Sequence, residues 1–87
     1  IMKIKKLIIF LEKKIKDNIK VEKLIIEDKS FLHKKHKSFD KNKFHIKLTI
    51  YSSELKLMSS LSANRIIFEI LGFEIKNYIH SLQIKII

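Results

Sequence analysis

Apolar side chains recur at Ile4, Leu7, Ile8, Leu11 and Ile15, in steps of three and four residues that place them on one face of a helix. Glu12 and Lys16 stand one turn apart on the other face, a spacing that adds support to the same helix. Residues 21–28 are short and β-branched, with Asp17-Asn18 before them and a polar run after, and predict a strand. Phe44, Ile46, Leu48 and Ile50 alternate with His45, Lys47, Thr49 and Tyr51, a period of two that predicts a second strand with one buried and one solvated face.

Ser52 and Ser53 are good helix caps, and Leu55, Met58 and Leu61 after them predict a short helix ending near Ser62, which can cap the next. From Arg65 on, Ile66, Ile67, Ile70, Leu71 and Ile75 keep helical spacing to Lys76 or Asn77, in spite of the cost of about 1 kcal/mol expected for Gly72 inside a helix. Residues 79–86 predict a last strand in which His80, Leu82, Ile84 and Ile86 share one face, so that His80 sits where the core face begins. The order is α-β-β-α-α-β. Polar outer faces on the second and third strands imply an α+β fold: a three-stranded sheet covered by helices on one face.

Between the first two strands, residues 29–43 carry six lysines and two histidines with few apolar side chains. This reads as a long solvated loop, of a length that compact domains usually reserve for function. No internal repeat or linker is visible, and 87 residues fit one domain spanning positions 1–87.

Net charge is +10, a field that favours acidic partners such as nucleic acid, anionic lipid or an acidic protein surface. Lysine and isoleucine dominate every segment, however, and a coding bias toward AT-rich codons raises the charge without selection for polyanions. Cysteine is absent, so the chain supplies neither disulfide nor thiolate, and sulfur for any soft-metal site must come from a partner. The apolar run at residues 7–10 is too short for a signal-peptide core or a membrane span, and because Ile1 precedes Met2 a missing targeting segment carries no weight on compartment.

With Gly72 as the single glycine, no glycine-rich phosphate loop is present, and Ser53, Ser60 and Ser62 lack the strand-to-helix elbow of a serine hydrolase. Glu27 and Asp28 are explained as charges at a strand end. The expectation is a binding or carrier module and not an enzyme. Four histidines remain as chemistry: His33 and His36 in the lysine-rich loop, His45 at an exposed strand position, and His80 at the edge of the core. Spacing alone favours a solvated loop, a surface residue and a hydrogen-bonded core-edge residue, because a self-contained zinc site needs about four converging ligands.

The segment EDKSFLHKKH, with Asp28, Ser30, His33 and His36, resembles the D-x-S-x-x-H-x-x-H loop of the BolA family. Downstream, HIKLTIYS resembles that family's H-F-x-V-x-V-V-S strand, with His45 and Ser52 in matching places. RIIFEILGFEIKNYIHSL resembles R-x-V-Y-x-x-L-x-x-E-L-x-x-x-I-H-A-L, bringing Arg65, Leu71, Glu74, His80 and Leu82 into register without a gap. Three departures stand out. Ala63-Asn64-Arg65 replaces the family's R-H-R, Leu55-Lys56-Leu57 replaces F-x-G, and the histidine loop is about three residues longer than usual.

The resemblance implies a class II KH-like fold and a partnership with monothiol glutaredoxins, in which the pair shares a [2Fe–2S] cluster held by the glutaredoxin cysteine, glutathione and histidine or cysteine from the BolA side. By position His80 matches the ligand histidine before the third strand and His33 the loop ligand of the histidine-bearing branch, with His36 as the alternative loop ligand. Neutral imidazole suits such mixed sulfur and nitrogen ligation. The implied protein has no cofactor when alone, is a monomer by itself and a heterodimer with its partner, and works in a reducing compartment, the mitochondrial matrix or the cytoplasm. The alternative function is transcriptional regulation through DNA, with Lys34, Lys35 and Lys37 of the loop and Arg65 on the helix meeting phosphate. A third reading is a metal-free interaction domain whose basic loop docks an acidic protein surface.

Overall fold

A computed structural model describes residues 2–30 and 43–87. The loop histidines His33 and His36 and the lysines Lys34, Lys35 and Lys37 lie outside the described residues. The first helix, α1 (Ile4–Asn18), leads to β1 (Lys23–Asp28) and β2 (Phe44–Tyr51). Three helices follow, α2 (Ser53–Lys56), α3 (Ser60–Ile70) and α4 (Gly72–Tyr78), and β3 (Ile79–Ile86) ends the order. The sheet runs β1-β2-β3, with β1 antiparallel and β3 parallel to β2. This is the α+β architecture that the hydrophobic pattern predicts.

The spacing of α1 buries Leu7, Leu11, Ile15 and then Ile19, a stripe at four-residue steps. Against it lie Ile46, Leu48 and Ile50 of β2, and Leu55, Ala63, Ile67, Leu71 and Ile79 complete the buried core. Leu24 and Ile26 of β1 face Ile50 and Leu48 in register, and Ile84 and Ile86 of β3 face Leu48 and Ile50, so one side of the sheet is apolar across all three strands. Among the described residues no helix is long and apolar enough to cross a membrane.

The opposite side of β2 is not the solvated face expected from its alternation. His45 and Thr49 are only 5 % and 8 % exposed. As the central strand, β2 has a neighbour on each flank: Thr49 lies between Ile25 and Lys85 in register, and side chains from both sides screen it.

The helical segment between β2 and β3 also departs from expectation. Ser52 does cap α2, accepting from the Leu55 N–H at 3.1 Å and donating to the Lys20 carbonyl at 2.9 Å. The next helix is capped by Ser59, with Ser62 N–H as the donor at 3.1 Å, so it begins before both Ser62 and Arg65. It stops at Ile70 because Leu71 leaves helical geometry at φ −97°, ψ 14°. Gly72 therefore opens α4 and does not sit inside a continuous helix. Lys14 of α1 fastens this last helix through a 2.9 Å ion pair to the buried Glu74.

The strand β3 carries an irregularity that shifts its pattern. Phe44 faces Ile79 while His45 faces Ser81, which leaves His80 as an extra residue. Ile79 accordingly points into the core, His80 is exposed, and apolar positions resume at Leu82. The expectation that His80 shares the core face with Leu82, Ile84 and Ile86 is corrected by this bulge.

Two outcomes follow from these local features. A Cβ added at Gly72 meets nothing within 4 Å, and its φ is not positive, so Gly72→Ala should restrict the unfolded chain at no native cost. The expected gain is about 0.4–1 kcal/mol, or about 2–8 °C in the thermal midpoint, read by calorimetry. Glu22 accepts hydrogen bonds from the side chain and backbone of Ser53, which hold its carboxyl below 4.5. A depressed folded-state pKa stabilises above the unfolded value and loses that contribution as pH falls. The stability difference between wild type and Glu22→Gln should thus be full above about pH 4.5 and shrink below it, measured by urea titration across pH.

Candidate functional site: two histidines at the sheet end

Asp28, the last residue of β1, accepts a hydrogen bond from the Ser30 N–H at 2.9 Å, turning the chain where it leaves the sheet. The Ser30 hydroxyl then accepts the N–H of His45 at 3.0 Å, and the Lys29 N–H donates to the His45 carbonyl at 2.7 Å. Both backbone groups of His45 are in this way bonded to the chain leaving β1. Asp28, Ser30 and His45, which the sequence shows as separate motif positions, are one connected unit.

The side chain of His45 is fixed as well. Its Nδ1 shares a 2.6 Å hydrogen bond with the hydroxyl of Ser81, its register partner on β3. Its ring meets that of His80 edge to face, with centroids 4.8 Å apart and planes inclined at 61°. His80 presents its imidazole to solvent from the bulge, while His45 is buried beneath it. The expectation of an exposed His45 is thus reversed.

Of the sequence-derived candidates, the structure brings His80 to the end of the sheet from which the histidine-bearing loop departs, since β1 ends at Asp28 and β2 begins at Phe44 opposite Ile79. Arg65 is exposed on α3, a separate element. Ser81 was invisible to pattern reasoning. Its alternation with Leu82 and Gln83 marks it as a plain surface residue, and only the bulge aligns it with His45.

Charge at this end is mixed. Glu27 and Lys29 pair at 3.0 Å, and that bond to the Lys29 ammonium holds the Glu27 carboxyl below its ordinary value. Among the described residues no three or more His, Cys, Asp or Glu side chains converge as a metal site. A groove of about 370 Å³ lies between α1 and α4 and is lined by Phe10, Lys13, Lys14, Asp17 and Glu74. None of its lining residues is a histidine.

Comparison with known proteins places this geometry. A search of curated proteins finds no match. Among solved structures, the BolA domain of SufE1 from Arabidopsis thaliana is 27 % identical, with a TM-score of 0.76 over 90 % of this chain and 86 % of that one. BolA1 from Arabidopsis thaliana has a TM-score of 0.78 at 22 % identity, over 92 % of this chain and 88 % of that one. A bol-like protein from Babesia bovis reaches 0.68 at 16 %, over 88 % and 78 % of the two chains. These last two likenesses concern the fold. The model of the family described as BolA-like protein matches residues 15–87, from the last turn of α1 through the whole sheet and both histidines, and the chain belongs to the BolA family.

Proposed function

We propose that this protein is a non-catalytic partner of monothiol glutaredoxins in iron–sulfur cluster assembly, trafficking or iron homeostasis, contributing histidine to a shared [2Fe–2S] cluster. The observation that supports it most is His80, an exposed imidazole on a strand bulge at the sheet end where the His33 loop begins.

The donor set fits a share in such a cluster and not sole possession of one. The chain has no cysteine, and the described residues hold no converging ligand group. His80 and, from the loop, His33 or His36 would offer neutral nitrogen, while thiolate comes from the glutaredoxin and glutathione. Histidine in place of cysteine raises the reduction potential of a [2Fe–2S] centre, which is the property this chain would supply. Exposure of His80 suits a ligand that meets a metal held by another protein, since a buried imidazole is out of reach of a partner.

A second reading, binding of DNA, rests on the net charge of +10 and the exposed Arg65 on α3, together with Lys34, Lys35 and Lys37. Contacts of this kind are to phosphate and carry a steep salt dependence without sequence preference.

Anaerobic mixing with a monothiol glutaredoxin, glutathione, iron and sulfide should give visible absorption and circular dichroism distinct from the glutaredoxin homodimer. His80→Ala and His33→Ala should each change that spectrum; a mixture that shows only the glutaredoxin's own signal refutes the shared cluster for that partner. In a DNA titration at 50 and 200 mM salt, a protein using these four cations as phosphate contacts should lose roughly 100-fold in affinity. Salt-resistant binding that distinguishes sequences would instead promote the regulatory reading.

A further inference from the structure

We propose that His45 is a positioning residue for His80: a buried imidazole, locked by Ser81 and by the chain leaving β1, that sets the direction in which the exposed His80 ring points. The inference rests on the reading of His80 as a metal ligand and adds a residue to it.

Three restraints converge on His45. Its N–H is bound by the Ser30 hydroxyl at 3.0 Å, its carbonyl by the Lys29 N–H at 2.7 Å, and its Nδ1 by the Ser81 hydroxyl at 2.6 Å. At 5 % exposure its ring is screened from a metal held by a partner, whereas His80 is exposed. What it can do is present a fixed ring edge. His80 lies 4.8 Å away at 61°, within the favoured range for an edge-to-face pair.

The bulge makes this contact necessary. A residue in the regular ladder has its direction set by the pleat, whereas an extra residue in a bulge is left unpaired by a neighbour in the adjacent strand. His80 is that residue, with Phe44 facing Ile79 and His45 facing Ser81 on either side of it. Backbone pairing therefore does not aim its ring, and the His45 edge does. Ligands held by supporting side chains bind metal more tightly than ligands that must first be ordered, and loss of such support costs about 10–100-fold in affinity.

Ser81 closes the unit. It follows His80 in sequence and holds His45 by hydrogen bond, so the residue next to the ligand anchors the residue that orients it. Ser81 is exposed, and its loss leaves the core intact.

The test uses histidine-labelled full-length wild type, His45→Ala, His45→Phe, Ser81→Ala and His80→Ala. In the protein alone, wild type should show ring-to-ring nuclear Overhauser contacts between His45 and His80 and one dominant His80 rotamer. Ser81→Ala and His45→Ala should average that rotamer, while His45→Phe, which keeps an aromatic edge, should largely preserve it. Ser81→Ala serves as the deciding variant if removing the buried ring unfolds the protein. With monothiol glutaredoxin, glutathione, iron and sulfide, His45→Ala should weaken retention of the mixed cluster about 10-fold and Ser81→Ala less, with His45→Phe close to wild type. A wild-type His80 that already samples all rotamers overturns the proposal. So does a cluster that depends on His80 but ignores both His45 and Ser81. If His80→Ala matches wild type in the cluster spectrum, the cluster reading falls and this proposal with it, whatever the rings show.

Discussion

Parallel pairing of β2 with β3 is the constraint on which the rest of the molecule depends. Parallel neighbours cannot be joined by a tight turn, so the chain must travel back along the sheet before β3 can start. Here α2, α3 and α4 make that journey and bring Leu55, Ala63, Ile67 and Leu71 over Ile46, Leu48 and Ile50. The α1 stripe fills the remaining space, and the Lys14 ion pair to Glu74 ties the helix before the sheet to the helix that precedes β3. Breaking the returning helix at Leu71 lets its last two turns take their own direction and deliver Ile79 into the core.

The same pairing creates the candidate site. Both β2 and β3 begin at one end of the sheet, and β1, running antiparallel, finishes there. Three strand ends thus gather Asp28, Ser30, His45, His80 and Ser81, residues separated by up to 53 positions, from Asp28 to Ser81. The bulge then decides which histidine is buried and which is offered to solvent. Without the extra residue, His80 would fall into the alternation of Leu82 and Ile84 and turn toward the core.

Sequence patterning reached most of this architecture. The alternation from Phe44 to Ile50 and the four-residue steps of α1 are enforced by a single buried face, and such faces leave a direct trace in residue type. The motifs around His45 and His80 were equally legible as a family resemblance. Burial of His45 and Thr49 left no trace, because it depends on which strands flank β2 and not on β2 itself. The bulge was hidden for a related reason: residues 80–86 alternate without fault, and only pairing with β2 reveals that Ile79, outside that alternation, is the residue the core takes. The break at Leu71 was masked by Ile70 and Ile75, which keep helical spacing on both sides of it.

Polarity along the sheet has a consequence for how such a domain can be joined to others. Ile87 is held at the far end, its N–H bound to the Ile50 carbonyl and its own carbonyl to the Ser52 N–H. Seven residue-to-residue steps of strand carry the chain from His80 to Ile87, about 23 Å at the rise of a β-strand. A domain or tag appended after Ile87 leaves the molecule from the end opposite the imidazoles. A fusion made at that position is therefore held one strand length away from His45 and His80.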